Sequence, residues 1–436
     1  MLNKDDQGKS VQIFQAAREL SDELIRIRRE LHECPELGLD LPRTQARVLA
    51  ELQGLPLEIT LGRNSSSVTA VMRGTGVPSG RGEAEAVLLR ADMDALPVEE
   101  GTGLPFASKA PGRMHACGHD LHVAMLIGAA RLLSERRDQL GGDVVFMFQP
   151  GEEGHNGAGK MIEEGVLDAA GPRVRAAYAM HVFSHQPYGR FATIPGVIMS
   201  ASDGLLVTIR GRGGHGAEPH NTRDPITALA AMVSALQTMV TRQFDIFDPV
   251  IVTVGKIRAG EQRNVIPDTA VLEATIRSFS SQSRERLRRV IPQVLEGIAA
   301  AHGLEVDVDY REEYPVTINA SEETDFVEDT VRTLFGADRF FQLQKPMNGS
   351  EDFSHVLNEV PGCIVALGSA PAGTNPREQP MNHSPRAVFD EGVLPDGAAL
   401  YAALALRRLE GGSSRGHHEE DSHLGAILEA RLLSRS

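Results

Sequence analysis

VVFMFQPGEEG (residues 144–154) sets five apolar residues end to end, then breaks at Pro150–Gly151 into two carboxylates, Glu152 and Glu153. An apolar run that does not alternate with polar residues suits a strand buried on both faces, the habit of parallel sheets. Similar runs flank it: Ser67–Met72 and Val87–Arg90 before, Ala176–His181 after. Between them, apolar spacing predicts a helix over 120–138, with Leu121, Ala124, Met125, Ile127 and Gly128 inward, and a helical turn near Gly159–Glu164. Strands alternating with helices make this an α/β fold, a mainly parallel sheet sandwiched by helices. Residues 11–31 read as one amphipathic helix ending before Pro35.

The middle of the chain has another rhythm. Strand Leu205–Arg210, a helix over 225–241, strands Val250–Ile257 and Ala270–Phe279, a helix over 283–301 and strand Leu304–Tyr310 follow in turn. That order, βαββαβ, is the ferredoxin-like α+β unit. The expected organisation is one domain from 1–196 and 312–411, an inserted domain over 197–311, and a tail over 412–436. Pro195–Gly196 and the stretch near Pro315 are the natural hinges. The tail opens as a Gly/Ser linker and reads as flexible, with a short helix over 424–433 and solvated His417, His418 and His423.

Composition excludes several classes. The chain has 436 residues, with 44 Lys and Arg against 59 Asp and Glu, a net charge of −15. A surface that acidic argues against nucleic acid and against anionic membranes. No run approaches the ~18 apolar residues of a membrane span. The start, MLNKDDQGKS, lacks the apolar core of an export signal, so a cytoplasmic protein is expected. Three cysteines, Cys34, Cys117 and Cys363, cannot form a disulfide scaffold and suit a reducing compartment. Gly211–Gly216 matches G-x-G-x-x-G, but Pro219 and Asn221 prolong a loop where a dinucleotide fold needs a helix. The G-x-S-x-G of residues 412–416 falls in the tail, with no strand before it to make a nucleophile elbow.

Four segments put metal-type ligands at the ends of apolar elements: Arg90-Ala-Asp92-Met-Asp94, His115-Ala-Cys117-Gly-His119-Asp120, Gly151-Glu152-Glu153-Gly154 and Met180-His181; Asn382-His383-Ser384 comes late. Ligands of open α/β sheets gather at the carboxyl ends of the strands. Taken singly, such residues are core histidines, helix caps and small hydrophobes. Converging in one crevice, their carboxylates and thiol would carry uncompensated charge costing several kcal/mol per ion. Divalent cations resolve the conflict. Thiolate, imidazole and carboxylate together suit zinc or manganese, with cobalt or nickel as further options. Cys117, His119, Glu153, His181 and His383 make five ligands, and a bridging thiolate would let them serve two ions. Glu152 is then surplus as a ligand and free to act as general base.

These residues sit in motifs that resemble a known family. RADMDALPVEE, MHACGHDLHVAML, FQPGEEGHNGAGKMIEEG, AMHV, GRGGHGAEPH, NVIP, GSEDF and NHSP are similar to the aminoacylase–carboxypeptidase family of co-catalytic metallohydrolases. The nearest branch holds hippurate hydrolases, N-acyl-amino-acid amidohydrolases and plant auxin-conjugate hydrolases. The resemblance runs from about residue 15 to 410. It implies that Cys117 bridges two ions, where other branches use Asp, and that His119, Glu153, His181 and His383 complete the ligands. It implies Glu152 as catalytic base and Asp92 as the acid that orients a metal histidine. Arg90 stands where the family has a histidine ligand, and His119 takes that place. His215 matches a histidine that reaches across a homodimer, formed through the inserted domain, into the partner's site. Asn264, Arg277, Gly349 and Ser350 match positions near the substrate, purely structural roles being the alternative.

The expected function is metal-dependent hydrolysis of the amide of a small N-acyl amino acid, hippurate-like or N-acetyl. On the same fold the alternatives are an N-acetyl-diaminopimelate-type deacetylase or a dipeptidase. A non-catalytic metal-binding or dimerisation protein is the alternative of another class, and a free carboxylate at Glu152 argues against it.

Overall fold

The computed structural model describes residues 4–77 and 85–410. The predicted tail, with its helix and three histidines, lies outside them. The N-terminal segment is two helices rather than one, α1 (Lys4–Glu19) and α2 (Ser21–His32). No proline or glycine divides them. The chain turns at Leu20 because α1 lies along the C-terminal helix while α2 lies along the helix that opens at His119. Tertiary packing thus overrides an unbroken periodicity.

Helix α3 (Pro42–Leu52), opened by a proline in its first turn, and the exposed edge strand β1 (Leu57–Leu61) escape the sequence reading. Then come β2 (Val68–Met72), β3 (Ala86–Asp92), α4 (His119–Ser134), β4 (Asp143–Gln149), α5 (Gly157–Glu163), β5 (Ala176–Phe183), β6 (Phe191–Thr193) and β7 (Gly196–Met199). Helix α4 stops four residues short of the expected 138, with a 3₁₀ turn at Arg137–Gln139. The inserted segment runs β8 (Ala201–Arg210), β9 (Gly214–His215), α6 (Pro225–Gln243), β10 (Val250–Ala259), β11 (Val265–Ile266), β12 (Thr269–Ser278), α7 (Ser281–Ala301) and β13 (Glu305–Tyr314). The chain closes with β14 (Thr317–Asn319), α8 (Ser321–Phe335), β15 (Phe340–Gln342), α9 (Ser354–Glu359), β16 (Gly362–Gly368) and α10 (Leu394–Arg408).

The large sheet has the order β1-β2-β4-β3-β5-β16-β6-β15. Its centre, β4-β3-β5-β16, is parallel, and every residue of β3, β4 and β16 is buried. The β1–β2, β2–β4 and β16–β6 pairs are antiparallel. Because the central strands run one way, their carboxyl ends share one edge. One sheet face packs on α4 and α10, both almost wholly buried. A side chain at Gly397 of α10 would collide with Met125 of α4, so glycine there permits their close approach. The other face packs on α5 and α9.

The inserted segment forms a separate antiparallel sheet, β10-β12-β8-β13. Burial along β8 alternates, as expected of a sheet with one covered face. Leu205, Val207 and Ile209 meet Leu229, Met232 and Leu236 of α6 and Leu287, Ile291 and Leu295 of α7 in a core of their own. Among the described residues no helix is long and apolar enough to cross a membrane.

Candidate metal centre

The carboxyl edge of the parallel strands collects the chemistry. Strand β3 delivers Asp92, the loop after β4 delivers Glu152 and Glu153, β5 delivers His181, and the turn into α4 delivers Cys117 and His119. Gly118 lies between the last two at φ +87°, and a side chain there would lie 2.4 Å from Val182. Only glycine lets the chain reverse so tightly that Cys117 and His119 both face inward. His383 arrives from the loop after β16, itself at φ +69°, its N–H donating to Ala116 O at 2.8 Å.

The contacts divide the ligands into two sets sharing Cys117. One is Cys117, His119 and His181; the other is Cys117, Glu153 and His383; within each the donor atoms lie within 4.8 Å of one another. Cys117 Sγ is 3.4 Å from His181 Nε2 and 3.3 Å from His383 Nε2, and His383 Nε2 is 3.1 Å from Glu153 Oε1. The tautomers follow from the neighbours. His119 Nδ1 faces the Asp94 carbonyl at 2.8 Å and His181 Nδ1 faces the Val182 carbonyl at 2.9 Å. A carbonyl only accepts, so both rings carry their proton on Nδ1 and offer the Nε2 lone pair to the centre. His119 Nε2 is buried with no hydrogen-bond partner.

His122 is different, though it belongs to a third cluster with Asp92 and His119. Its Nδ1 meets Asp92 Oδ1 at 2.5 Å and its Nε2 accepts the Val182 N–H at 2.9 Å. Both nitrogens are engaged, so His122 braces Asp92 and has no lone pair to spare for an ion.

The electrostatics call for cations. Hydrogen bonds to Cys117 and Glu153 push His383 up to about 10. Burial, followed by the carboxylates of Glu351, Glu153 and Asp352, raises Glu152 well above the ordinary carboxyl range. Burial would lower His119, yet Asp92 and Cys117 outweigh it and hold its pKa well above normal. Burial, helped by His122, holds His181 well below normal. A pocket that draws protons onto His119, His383 and Glu152 is short of positive charge. An orphaned imidazole lone pair, a thiol and a carboxylate fit a divalent ion there. His383 must lose its proton to bind one, so metal affinity is expected to rise as pH climbs toward about 10. Calorimetry in buffers of different ionisation enthalpy should record a proton released on metal uptake at pH 7.5; no release would remove His383 from the ligands.

Asp94 organises the loop beneath. Its two carboxylate oxygens accept the N–H groups of Glu152 and Glu153 at 2.9 and 3.0 Å. The hydroxyl of Tyr314, at the end of β13, donates to the Glu152 carbonyl at 2.6 Å. Behind Asp92 lies buried Arg90, reaching Asp92 at 2.6 Å, Glu351 at 2.8 Å, Asp352 at 3.0 Å and Gln149 at 2.8 Å. Burial and Glu351 push Asp352 up to about 8 against the pull of Arg90. Sequence reasoning left His122, Asp94, Tyr314, Glu351 and Asp352 without roles. The GSEDF motif pointed at the last two, but not at the arginine they embrace.

The residues assigned to substrate fall into two places. Arg277 of β12 donates to Ser350 Oγ at 2.7 Å, and the Gly349 carbonyl accepts the Ser200 N–H at 2.9 Å. This group joins the inserted sheet to the loop before α9. His215 and Asn264 lie elsewhere, both exposed, where β9 pairs with β11. His215 Nδ1 accepts the Ala217 N–H, and neither residue bonds to the ligand cluster among the described residues.

Residues 88–407 match the profile of peptidase family M20/M25/M40. IAA-amino acid hydrolase ILR1-like 2 of Arabidopsis thaliana is 38% identical over 417 residues, 93% of this chain and 91% of that protein. N-acetylcysteine deacetylase of Bacillus subtilis is 36% identical over 388 residues, 89% of this chain and 97% of that protein. The crystal structure of the YXEP protein of Bacillus subtilis, a dinuclear metal-binding peptidase, superposes with a TM-score of 0.75 at 31% identity, covering 91% of this chain and all of that one.

Proposed function

The chain belongs to peptidase family M20/M25/M40 and is a metal-dependent amidohydrolase, and we propose that it cleaves the amide of small N-acyl amino acids with two ions bound. The observation that carries this reading is the pair of ligand sets sharing Cys117, with Glu152 beside them. Cys117, His119 and His181 would hold one ion and Cys117, Glu153 and His383 the other. When bound, the ions supply polarisation of the scissile carbonyl and acidification of a water.

The rest is done by the chain. Glu152 is pinned by Asp94 on its N–H and by Tyr314 on its carbonyl, while its carboxyl points at the ligand cluster. It takes the proton of the attacking water and returns it to the departing nitrogen. The raised proton affinity that burial and neighbouring carboxylates give it suits both halves of that task. Asp92, fixed by Arg90 and His122, steadies the cluster around His119. Arg277 and Ser350 offer donors to the free carboxylate of the amino acid, a planar anion that a guanidinium matches well.

The test is a panel of N-acyl amino acids with chelated and metal-reconstituted protein. Cleavage restored only by metal supports the reading; metal-loaded protein inert toward the whole panel ends it.

His215 completes the site from a second copy in this proposal. Its exposure and its distance in contacts from its own ligand cluster favour that role. The outer strand β10 bears exposed Ile251 and Ile257, an edge suited to a partner. His215→Ala is expected to lose about 10²–10³-fold in kcat, as for an oxyanion donor. Mixed with inactive Glu152→Gln protein and reassembled, it should regain activity. A mixture as dead as its components would place His215 outside the partner's site.

A further inference from the structure

The two peptide planes on either side of Glu152 are each held at both ends. In the plane before it, the Gly151 carbonyl accepts the Gly157 N–H at 3.0 Å and the Glu152 N–H donates to Asp94 Oδ1 at 2.9 Å. In the plane after it, the Glu152 carbonyl accepts the Tyr314 hydroxyl at 2.6 Å and the Gly154 N–H at 2.8 Å, and the Glu153 N–H donates to Asp94 Oδ2 at 3.0 Å. One carboxylate thus supplies both N–H anchors. Successive N–H groups turned to one side make a concavity that suits an anion. An ionised acceptor makes each such bond roughly twice as strong as a neutral one would.

Fixing the two planes fixes the directions in which side chains 152 and 153 leave the backbone, and these diverge. Glu152 groups with Glu351 and Asp352, Glu153 with Cys117 and His383. Asp94 therefore sits at the fork between the base and a ligand. It also reaches the other ligand set, since its backbone carbonyl accepts the His119 Nδ1–H at 2.8 Å. Asp94 is itself held still. It is 1% exposed and lies two residues beyond the end of β3. The Ala95 N–H donates to the Glu36 carbonyl at 2.8 Å, and Leu96 and Met114 exchange bonds in both directions at 3.0 Å. Among the described residues its carboxylate has no arginine or lysine partner, so the two N–H groups carry its hydrogen bonds.

We propose that Asp94 is a positioning residue for the hydrolysis: its side chain aims Glu152 and Glu153, and its main chain aims His119. The proposal rests on the two-set reading above. The division between side chain and main chain makes the role separable. Asp94→Asn keeps the carbonyl that meets His119 but replaces one carboxylate oxygen with an NH2 group, a donor set against a donor at residue 152 or 153. The set of Cys117, His119 and His181 should keep its ion. The set that contains Glu153 should loosen, and Glu152 should lose its aim.

The experiment titrates the metal-free proteins with zinc by calorimetry. Two sites are expected in the wild type. Asp94→Asn is expected to show one unchanged site and one weakened about 10–100-fold, the usual effect of losing a partner behind a ligand. At saturating zinc its kcat on N-benzoylglycine and N-acetylglycine should fall about 10–100-fold with KM little changed, a split that general loosening of the fold would not produce. Should the variant not fold, hydrogen exchange on the wild type decides, because the amides of residues 152 and 153 should be protected in the metal-free protein, before any ion orders the loop. Two unchanged sites, two sites weakened alike, an unmoved kcat or fast exchange at those amides overturns the role of Asp94 and leaves the ligand sets intact. A wild type that takes up no zinc overturns the two-set reading itself.

Discussion

Glu152→Gln is expected to bind its metal like the wild type and to lose about 10²–10⁴-fold in kcat. The amide has the shape of the carboxyl but cannot accept a proton. The backbone holds from Asp94 and Tyr314 reach the N–H and carbonyl of residue 152, so they survive the change. KM should move little. Elemental analysis separates the two glutamates: Glu153 shares a ligand set with Cys117 and His383, so Glu153→Gln should lose metal as well as rate. A Glu152→Gln protein that binds no metal, beside a Glu153→Gln protein that does, would exchange the two roles.

The second large effect is on stability. Arg90→Met is expected to cost about 3–5 kcal/mol, because it leaves Asp92, Glu351 and Asp352 buried beside Glu152 without their one shared cation. Against a total of about 5–15 kcal/mol that is a large fraction. The deficit should also depend on pH in a definite sense. The carboxyl of Asp352 already binds its proton up to about pH 8 in the folded chain, well above the unfolded value. A carboxyl raised in this way favours the folded state at low pH and withdraws that favour as pH climbs toward 8. Removing Arg90 takes away the charge that holds Asp92 down and restrains Asp352, so both carboxyls rise. Chemical denaturation should therefore find the variant closest to wild type near pH 5 and furthest from it near pH 8.5. Equal deficits at both would mean that the carboxyls do not sense the guanidinium.

What the chain declares in its sequence follows from how local each signal is. Glu152, Glu153 and His181 were legible because each ends a continuous apolar run, and in a parallel sheet such ends must meet. The βαββαβ order of the inserted segment was legible because its strands and helices alternate at short range. The partnership of Arg90 with Glu351 spans 261 residues and depends on where the loop before α9 crosses the end of β3. No periodicity encodes that. His122 lies three residues from His119 on one helix face, and only the Asp92 and Val182 contacts tell brace from ligand. The break at Leu20 is equally non-local, since two different helices compete for the N-terminal segment.

Tyr314 fixes where the molecule can bend. It is the last residue of the inserted sheet, yet its hydroxyl is tied to the loop that bears the acid pair. A swing of the insert about a point earlier in β13 would leave Tyr314 behind with that loop and keep the tie. A fulcrum at Pro315, one bond further on, would have to carry the phenol away with the strand. The tie is kept only by a fulcrum on the insert's side of the tyrosine, so where the cleft opens and whether Glu152 stays aimed are geometrically one constraint.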